Sequence, residues 1–520
     1  MTLPTLDIAI VIVYAVAIFA LAQFVSRERG THQKDAQDYF LASRALPWWA
    51  IGTSLIAANI SAEQIIGMSG SGYVIGLGIA SYEWMAALTL IIVGKFFLPI
   101  FLANRIYTMP EFLERRYNSS VRSVMALFWL GVYVFVNLTS ILWLGATAVH
   151  TVAGVSLPSA LVGLGVFAGA YALYGGLKAV ALTDIVQVSL LVLGGLIISY
   201  IALEKISGGT GVLAGFHALT ERFPDKFHMI LPRSSPSYKD LPGLSVLLGG
   251  LWVMNISYWG FNQYIIQRAL AAKDIRAAQQ GIVLAAFLKL LMPVIIVLPG
   301  IAAAALAPNL ERADEAYPHL LAMLPPGLLG LVFAALIAAI VASMGSKINS
   351  IATIFTMDVY RPLRPQVSQQ HLVLVGRLSA AVALVVAMLM AKPLLGSFDQ
   401  AFQYIQEFTG FFTPGICVIF LLGMFWERCT VTGAMAAAIG SAVFSLVLKL
   451  AWPSLAFMDR VGLVFLLCLI LAVVLSLLKT QRDPAMRVEL RQIDYSTGVG
   501  FNLAALVVTG ALIGIYWIWW

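Results

Sequence analysis

The chain has 520 residues, of which 60% are hydrophobic and 11% are charged, and its mean hydropathy is +0.90. Soluble domains contain about 45 to 50% apolar and about 25% charged residues, so the composition excludes a soluble globular protein. The longest stretch without an apolar run of membrane-spanning length is 204–243, which is too short for a catalytic domain of ordinary size. The net charge of +7 does not indicate nucleic-acid binding, because most Lys and Arg residues lie in short loops between apolar runs.

Cysteine and histidine usage gives no sign of a disulfide framework, a metal cluster or an enzyme. The three cysteines, Cys417, Cys429 and Cys468, lie in or beside apolar runs, where a free thiol packs as a small hydrophobic group. The six histidines fall in predicted loops or at the ends of apolar runs, and none has a Cys or His at metal-ligand spacing. We therefore expect a protein without catalytic activity.

Apolar runs of about 20 residues predict an all-α polytopic membrane protein with about 14 transmembrane helices. In chain order the predicted spans are 7–25, 47–68, 79–102, 123–150, 158–175, 180–203, 244–266, 279–307, 326–357, 371–391, 398–425, 431–451, 461–478 and 500–519. The first run has no Lys or Arg before it and has Arg27 and Arg29 directly after it, which is the reverse of a signal peptide. Together with the excess of basic residues in the predicted inner loops, such as Arg268 and Arg276, this predicts a cell (inner or plasma) membrane protein with both termini extracellular or periplasmic.

Two predicted spans are interrupted by polar residues, at 53–64 and 252–263. Lipid offers no hydrogen-bond partner at that depth, so these groups have to face protein or a water-filled cavity. Each interruption opens a block of five spans, and because five is odd the second block enters from the opposite side of the membrane. This pattern predicts inverted five-helix repeats with two broken helices around a midplane site, as in secondary transporters. Polar interfaces that only hold helices together are the alternative.

The predicted organisation therefore has five parts. They are an N-terminal extra helix and inner loop (1–45), the first repeat (46–203), an extracellular loop with a short helix around Val212 to Phe223 (204–243), the second repeat (244–425) and C-terminal extra helices (426–520).

Four ionisable residues inside predicted spans point to a function within the membrane. Glu83, Asp184, Lys289 and Lys347 each cost at least about 2.5 to 3.5 kcal/mol to insert, so they need partners or a task. A channel would line a continuous path, whereas here the polar residues of the two interrupted spans cluster near one depth and aromatic residues bracket them. The pattern favours a transporter.

Several motifs identify a family resemblance over about residues 36 to 440. They are AANISAEQ at 57–64, GMSGSGY at 67–73, ASYEW at 80–84, YWGFNQY at 258–264, FQYIQE at 402–407, a glycine signature from Gly154 through 171–179, and an approximate second one from Gly423 to Ala434. The chain resembles the sodium/glucose cotransporter branch of the solute:sodium symporter family. The resemblance implies a LeuT-like fold and sodium-coupled symport of a hexose of the glucose or galactose type by alternating access.

The resemblance also implies a sugar site near the middle of the bilayer. Asn59, Gln64, Glu83, Asn255, Lys289 and Gln406 would bond the sugar hydroxyls. Tyr258 would cover the ring on the inner side, Met68, Tyr82 and Phe402 would close the outer side, and Trp259 is counted with these gate residues. Carboxylate, ammonium and amide groups suit hydroxyls, which both donate and accept hydrogen bonds.

Several readings of this site stay open. Ala86 stands where family members that carry galactose have a serine, which leaves the hexose open, and another solute such as inositol is an alternative. A carboxylate substrate would be repelled by Glu83. The pair Glu83 and Lys289 could instead be purely structural.

For the ion, the resemblance implies one sodium bound by the carbonyls of Ala57, Ile60 and Ala339 and by two consecutive hydroxyl side chains. Ser343 supplies one hydroxyl, but Ala342 has none. Lys347 lies at i+4 from Ser343 and hence on the same helix face. Asp184, which matches an acid on the inner sodium route, could pair with it. Sodium coupling is the prediction; the alternative is a proton-coupled or uncoupled transporter in which Lys347 replaces sodium. The expected partners are a sugar, sodium and the lipid bilayer, for a monomer or weak homo-oligomer.

Overall fold

A computed structural model describes residues 3–26, 46–396, 401–479 and 488–520, without the side chains of residues 19, 22–26, 171–185 and 187. Within these ranges the chain is helical and forms no strand; Leu46 and Ala272 make one isolated bridge. All three cysteines are buried, and none forms a disulfide bond within the described ranges. No group of three His, Cys, Asp or Glu residues that could hold a metal is present in the described ranges.

The α-helices follow the predicted apolar runs. They are Thr5–Ser26, Trp48–Asn59, Ser69–Val74, Ser81–Ile92, Leu98–Ala103, Met109–Arg116, Ser119–Gly131, Thr139–Ala153, Leu157–Ile206, Val212–Arg222, Leu244–Leu248, Gly250–Ile256, Gln263–Leu270, Ile275–Leu306, Ala316–Ala322, Leu328–Ile354, Arg361–Leu363, Gln369–Leu395, Ala401–Gly410, Thr413–Phe425, Val431–Ala451, Phe457–Leu478 and Val499–Ile518. Five wider π-helical turns occur at Glu63–Met68, Val93–Phe97, Val132–Leu138, Ser257–Phe261 and Phe355–Tyr360, and short 3-10 turns at Leu77–Ala80, Pro224–Phe227 and Ala313–Glu315.

In the described part of the chain, nine helices are long and apolar enough to cross a membrane. The pair Ala401–Gly410 and Thr413–Phe425, bent by 47°, makes a tenth, and Thr5–Ile18 and Leu157–Ala170 are shorter apolar helices. The fifth and sixth predicted spans form one helix, Leu157–Ile206, without the predicted inner loop around residue 178. Its 50 residues measure about 75 Å, more than twice the hydrocarbon core of about 30 Å. The count of fourteen crossings stays a prediction.

The first broken helix, defined as residues 48–74, is interrupted where the sequence predicts it. Its first half ends at Asn59 because Ile60 is extended, with φ −71° and ψ 108°. The Ser61 hydroxyl accepts a hydrogen bond from the backbone amide of Glu63 at 3.1 Å and donates one to Oε1 of Gln64 at 2.7 Å. Ser61 thus caps the start of the second half. The broken helix around Asn59 is confirmed.

The second broken helix, defined as residues 250–270, is interrupted near the end of the predicted run 252–263. Asn255 lies inside the helix Gly250–Ile256, a π-helical turn follows, and the chain leaves the helical conformation at Asn262, with φ −82° and ψ 120°. The backbone stays helical through this π-helical turn, so the polar residues before Asn262 do not break the helix. At Asn262 the hydroxyl of Tyr133 donates to the side-chain oxygen and accepts the amide of Gln263 at 2.9 Å, which stabilises the break there.

The segment 204–243 covers one end of the first broken helix. It contains the expected short helix, Val212–Arg222. The Lys226 ammonium, whose pKa burial lowers, donates to the carbonyls of Tyr73 at 2.7 Å and Val74 at 2.9 Å. These are terminal carbonyls that the helix itself leaves unpaired. Gly76 is at φ +95°, and a Cβ there would lie 2.3 Å from the Lys226 carbonyl oxygen, so only glycine allows this close contact.

The helix Ile275–Leu306 packs directly against the second half of the first broken helix. A Cβ on Gly300 would lie 2.1 Å from the carbonyl oxygen of Ser69, so glycine at this position lets the two backbones touch. The same helix carries Lys289 into the interior, where the ammonium is fully buried. The packing therefore fixes where Lys289 meets the break at Asn59.

Candidate substrate and ion sites

A cavity lies between the two broken helices and is lined by nearly all the predicted substrate residues. The space between its lining atoms, including the part that opens to solvent, is about 980 Å³. Of the predicted residues, it is lined by Asn59, Gln64, Met68, Tyr82, Glu83, Asn255, Tyr258, Trp259, Phe402 and Gln406. Side chains from both interrupted segments therefore line one cavity.

Lys289 is the predicted substrate residue that does not line this cavity. Its ammonium donates to Oε2 of Glu83 and to Oδ1 of Asn59, and it lies 5.0 Å from the centre of the Trp259 ring. Glu83 is almost as deeply buried, with 3% of its surface exposed. Lys289 thus forms an ion pair with Glu83 at the cavity wall, and a direct bond from Lys289 to sugar stays a prediction.

A chain of hydrogen bonds connects the two broken helices. The amide nitrogen of Asn59 donates to the hydroxyl of Tyr258 at 2.9 Å, and the hydroxyl of Tyr264 donates to the same oxygen at 2.7 Å. Tyr258 and Tyr264 lie on opposite sides of the break at Asn262. The Tyr258 ring therefore forms a wall of the cavity at the contact between the two breaks.

The predicted outer gate residues form a compact apolar cluster. Met68 and Phe402 are 1% and 2% exposed, and Tyr82 packs edge-on against Phe402 with ring centres 5.5 Å apart. A Cβ on Gly67 would lie 3.0 Å from Cβ of Phe402, so the helix Ala401–Gly410 sits directly on the first broken helix. The predicted outer gate residues therefore lie together at the cavity wall.

Two amides of the predicted site differ in how their hydrogen bonds are used. The side-chain nitrogen of Asn255 lines the cavity, is buried, and has no hydrogen-bond partner among the described residues. Oε1 of Gln64, by contrast, already accepts from Ser61. Asn255 is therefore a donor that is free for a ligand.

Glu63, which lines the cavity, and its hydrogen-bond partner Ser140 are residues that the sequence analysis did not assign. Glu63 lies inside the second predicted span and lines the cavity, and its Oε1 accepts a hydrogen bond from Ser140. Like the four ionisable residues noted in the sequence, Glu63 is costly to insert into a membrane, and this cost could have identified it. Ser140 has no comparable signal, because hydroxyls are common in membrane helices.

Arg268 is buried rather than placed in an inner loop as predicted. It donates to Ser54 at 3.1 Å, to the carbonyl of Tyr264 at 2.9 Å and to Ser346. It sits in the last turn of the second broken helix, where the terminal carbonyls favour a cation. Arg268 thus joins both broken helices to the helix Leu328–Ile354.

The predicted ion ligands lie where the first broken helix meets the helix Leu328–Ile354. Ser343 donates its hydroxyl to the carbonyl of Ala58 at 3.2 Å, and Ala339 lies one turn earlier on the same face. Ala57 and Ile60 belong to the last turn and cap of Trp48–Asn59, where helix carbonyls lack intrahelical donors. The buried Ala342 adds no oxygen beyond its backbone carbonyl.

Lys347 enters this ion site. Its ammonium donates to Oγ of Ser343 at 3.1 Å and lies 4.3 Å from the centre of the Tyr264 ring. The side chain of Asp184 lies outside the described part of the structure, so the proposed pairing with Lys347 stays a prediction.

Comparison with known families decides the classification. The model of the sodium:solute symporter family matches residues 39–440. The chain belongs to the sodium:solute symporter family. This confirms the resemblance, and it establishes this symporter as a multi-pass membrane protein of a sodium-coupled transporter family. The findings do not favour the proton-coupled or uncoupled alternative.

Individual relatives agree with the family assignment. The symporter is 48% identical to a sodium/glucose cotransporter of Vibrio parahaemolyticus over 100% of this chain and 99% of that protein. It is 32% identical to the human sodium/myo-inositol cotransporter 2 over 85% of this chain and 69% of the relative.

Solved structures support the LeuT-like fold. A Na+-coupled sialic acid symporter in a substrate-bound, outward-open state matches with a TM-score of 0.81 at 22% identity, over 93% of this chain and all of that one. The nucleobase-cation transporter Mhp1 in a closed conformation matches with a TM-score of 0.55 at 12% identity, over 88% of this chain and 98% of that one. The all-helical fold with its two broken helices is thus shared with other symporters.

Proposed function

We propose that this symporter carries a hexose of the glucose or galactose type across the cell membrane together with sodium, and that it has no enzymatic activity. The observation that carries the proposal is the cavity in which a paired carboxylate, Glu83, and a free amide donor, Asn255, face aromatic rings. The Vibrio relative, named a sodium/glucose cotransporter, supports the same solute class.

The chemistry of the cavity suits a ring of hydroxyl groups. Glu83 accepts hydrogen bonds, Asn255 donates through its side-chain nitrogen, and Gln406 can do both. The Tyr258 ring offers a flat surface to the apolar face of the sugar. A solute that leaves any of these buried polar groups unpaired binds less tightly, which gives the site its selectivity.

For sodium we propose the carbonyls of Ala57, Ile60 and Ala339 and the hydroxyl of Ser343 as ligands. Hard cations prefer oxygen ligands, and the end of a broken helix supplies carbonyls that have no other donor. Because Ala57 and Ile60 flank Asn59, which lies in the wall of the sugar cavity, sodium binding and sugar binding order the same helix end. This shared segment is the physical basis we assign to coupling.

Alternating access then moves the two broken helices relative to each other. On the outer side the cavity is closed by Met68, Tyr82 and Phe402, and on the inner side by Tyr258 together with Trp259. We assign the repeats to 46–203 and 244–425, both termini to the extracellular or periplasmic side, and a monomer or weak homo-oligomer as the working unit.

A second candidate solute is myo-inositol. Relatives named sodium/myo-inositol cotransporter 2 are its basis, at 32% identity over 85% of this chain, but the 48% identity to the Vibrio relative favours the hexose. Inositol is also a ring of hydroxyls, and Ala86 leaves one wall of the cavity without a polar group. Both solutes use the same acceptor and donor set.

Uptake into proteoliposomes tests the proposal. Purified protein would be given labelled glucose, galactose or myo-inositol with either sodium or choline outside. We expect sodium-stimulated accumulation of one hexose, enhanced by an inside-negative potential because each sodium carries charge. Equal uptake in sodium and choline would reject sodium coupling, and uptake of inositol alone would reject the hexose.

A further inference from the structure

We propose that Lys347 is a tethered cation that competes with sodium for the oxygens of the ion site and thereby weakens sodium binding. This inference rests on the proposed sodium-coupled function and adds a residue that sets the apparent sodium affinity. It is carried by the placement of the Lys347 ammonium on Ser343, the hydroxyl assigned to sodium.

The hydrogen bonds around Ser343 leave its oxygen engaged on both sides. The hydroxyl hydrogen points to the carbonyl of Ala58 at 3.2 Å, and the oxygen accepts from the Lys347 ammonium at 3.1 Å. Ser343 is the one hydrogen-bond partner that the ammonium has among the described residues. A sodium ion that uses Ser343 therefore has to share this oxygen with the Lys347 ammonium.

The Lys347 ammonium is buried against an aromatic ring. Lys347 has no exposed surface, and the face of the Tyr264 ring lies 4.3 Å from its nitrogen. A cation over an aromatic face is attracted by the ring. The Arg268 guanidinium opposes this by repulsion.

Charge repulsion makes the arrangement competitive. A sodium ion and an ammonium that share one hydroxyl oxygen would be separated by only a few ångströms in a medium of low dielectric constant, where like charges repel strongly. Sodium therefore binds well only when the lysine side chain swings away from Ser343. The weaker the hold of Lys347 on Ser343, the less sodium is needed to fill the site.

The test compares Lys347→Met and Lys347→Gln, which remove the charge, with Lys347→Arg, which keeps it. Lys95→Met is the matched control, because Lys95 is a half-buried lysine inside another span, 5.7 Å from the centre of the Phe96 ring. The measurements are the sodium concentration that gives half-maximal hexose uptake in proteoliposomes, and sodium binding to the purified protein without sugar. Melting temperature verifies that each variant is folded.

We expect the neutral variants to reach half-maximal uptake and binding at least tenfold lower in sodium than the wild type. Lys347→Arg, which keeps the charge, should not lower the sodium requirement, and Lys95→Met should stay within twofold of the wild type. Half-saturation that is unchanged or higher in both Met and Gln variants would overturn the proposal. If only one neutral variant folds, its sodium concentration at half-saturation decides the test.

The same measurements distinguish failure of the proposed sodium coupling from failure of the proposed role of Lys347. One outcome is that wild-type uptake is independent of sodium while uptake by the neutral variants depends on it. That result would confirm Lys347 as the competitor and reject sodium coupling of the natural protein. If neither the wild type nor the neutral variants respond in uptake or binding, both proposals fail.

Discussion

Asn59 and Tyr258, 199 residues apart in the sequence, are joined by a 2.9 Å hydrogen bond that closes the gap between the two broken helices. Asn59 is the last residue of its half-helix, and Tyr258 lies in the widened turn before the second break. The bond places the Tyr258 ring as a cavity wall. It has to break whenever these helix ends separate.

Tyr258→Phe removes this hydroxyl and keeps the ring. We expect hexose affinity to fall about fivefold, since one neutral hydrogen bond is worth about 1 kcal/mol. Tyr258→Ala should weaken binding further, because the ring surface is lost as well. Equilibrium binding of labelled hexose to purified protein measures both. Tyr200→Phe is the control, because Tyr200 has 56% of its surface exposed, and it should bind hexose as the wild type does. Equal losses of hexose affinity for Phe and Ala at position 258 would contradict the assigned role of the ring.

Glu83 and Lys289 should depend on each other for stability. Lys289→Met leaves a buried carboxylate uncompensated and should destabilise the protein by about 3 to 5 kcal/mol. The double variant Glu83→Gln with Lys289→Met should recover most of the melting temperature yet bind no hexose, because the charged acceptor is gone. Melting curves and hexose binding on the same preparations separate the two effects. Hexose binding retained by the double variant would show that the pair is only structural.

Sequence reasoning identified this pair because an isolated charge deep inside a membrane carries a large cost. The family resemblance implied Asn59, Gln64, Glu83, Asn255, Tyr258 and Gln406, and these residues line one cavity. It could not tell that Lys289 stands behind Glu83 instead of in the cavity, since that depends on the close packing of the helix Ile275–Leu306.

Asn255 offers a test of the free donor. Asn255→Leu keeps the approximate side-chain size and removes the unpaired amide, whose burial costs about 1 to 3 kcal/mol. We expect at least tenfold weaker hexose binding with an unchanged or higher melting temperature. Asn349→Leu is the matched control: its amide is also buried without a partner among the described residues, but it does not line the cavity. It should raise stability similarly and leave binding unchanged, and a binding loss at both positions would point to a general packing effect.

Gly300→Ala tests the contact that positions the second half of the first broken helix. The added methyl would lie 2.1 Å from the carbonyl oxygen of Ser69, so the helices have to move apart, at a cost of about 1 to 3 kcal/mol. We expect a lower melting temperature and reduced uptake. Gly163→Ala adds a methyl in open space on another helix and should be neutral or stabilising. A stable, fully active Gly300→Ala protein would show that this contact is not needed.

The break at Asn262 shows where sequence reasoning reached its limit. A run of polar residues at 252–263 indicates the depth of an interruption, but the residue that leaves the helix is chosen by tertiary contacts. Here Tyr133, 130 residues away, binds the amide of Gln263. In the same way, the burial of Arg268 depends on Ser54 and Ser346 from two other helices, which no local pattern indicates.

One span connects both interruptions. Tyr133 and Ser140 lie in and just after the π-helical turn Val132–Leu138, and they bind Asn262 and Glu63 respectively. This span is therefore hydrogen-bonded to both broken helices, through two residues that are seven positions apart. Deleting one residue between them would rotate these two residues by about 100° relative to each other. Movement at one break would then no longer be transmitted to the other.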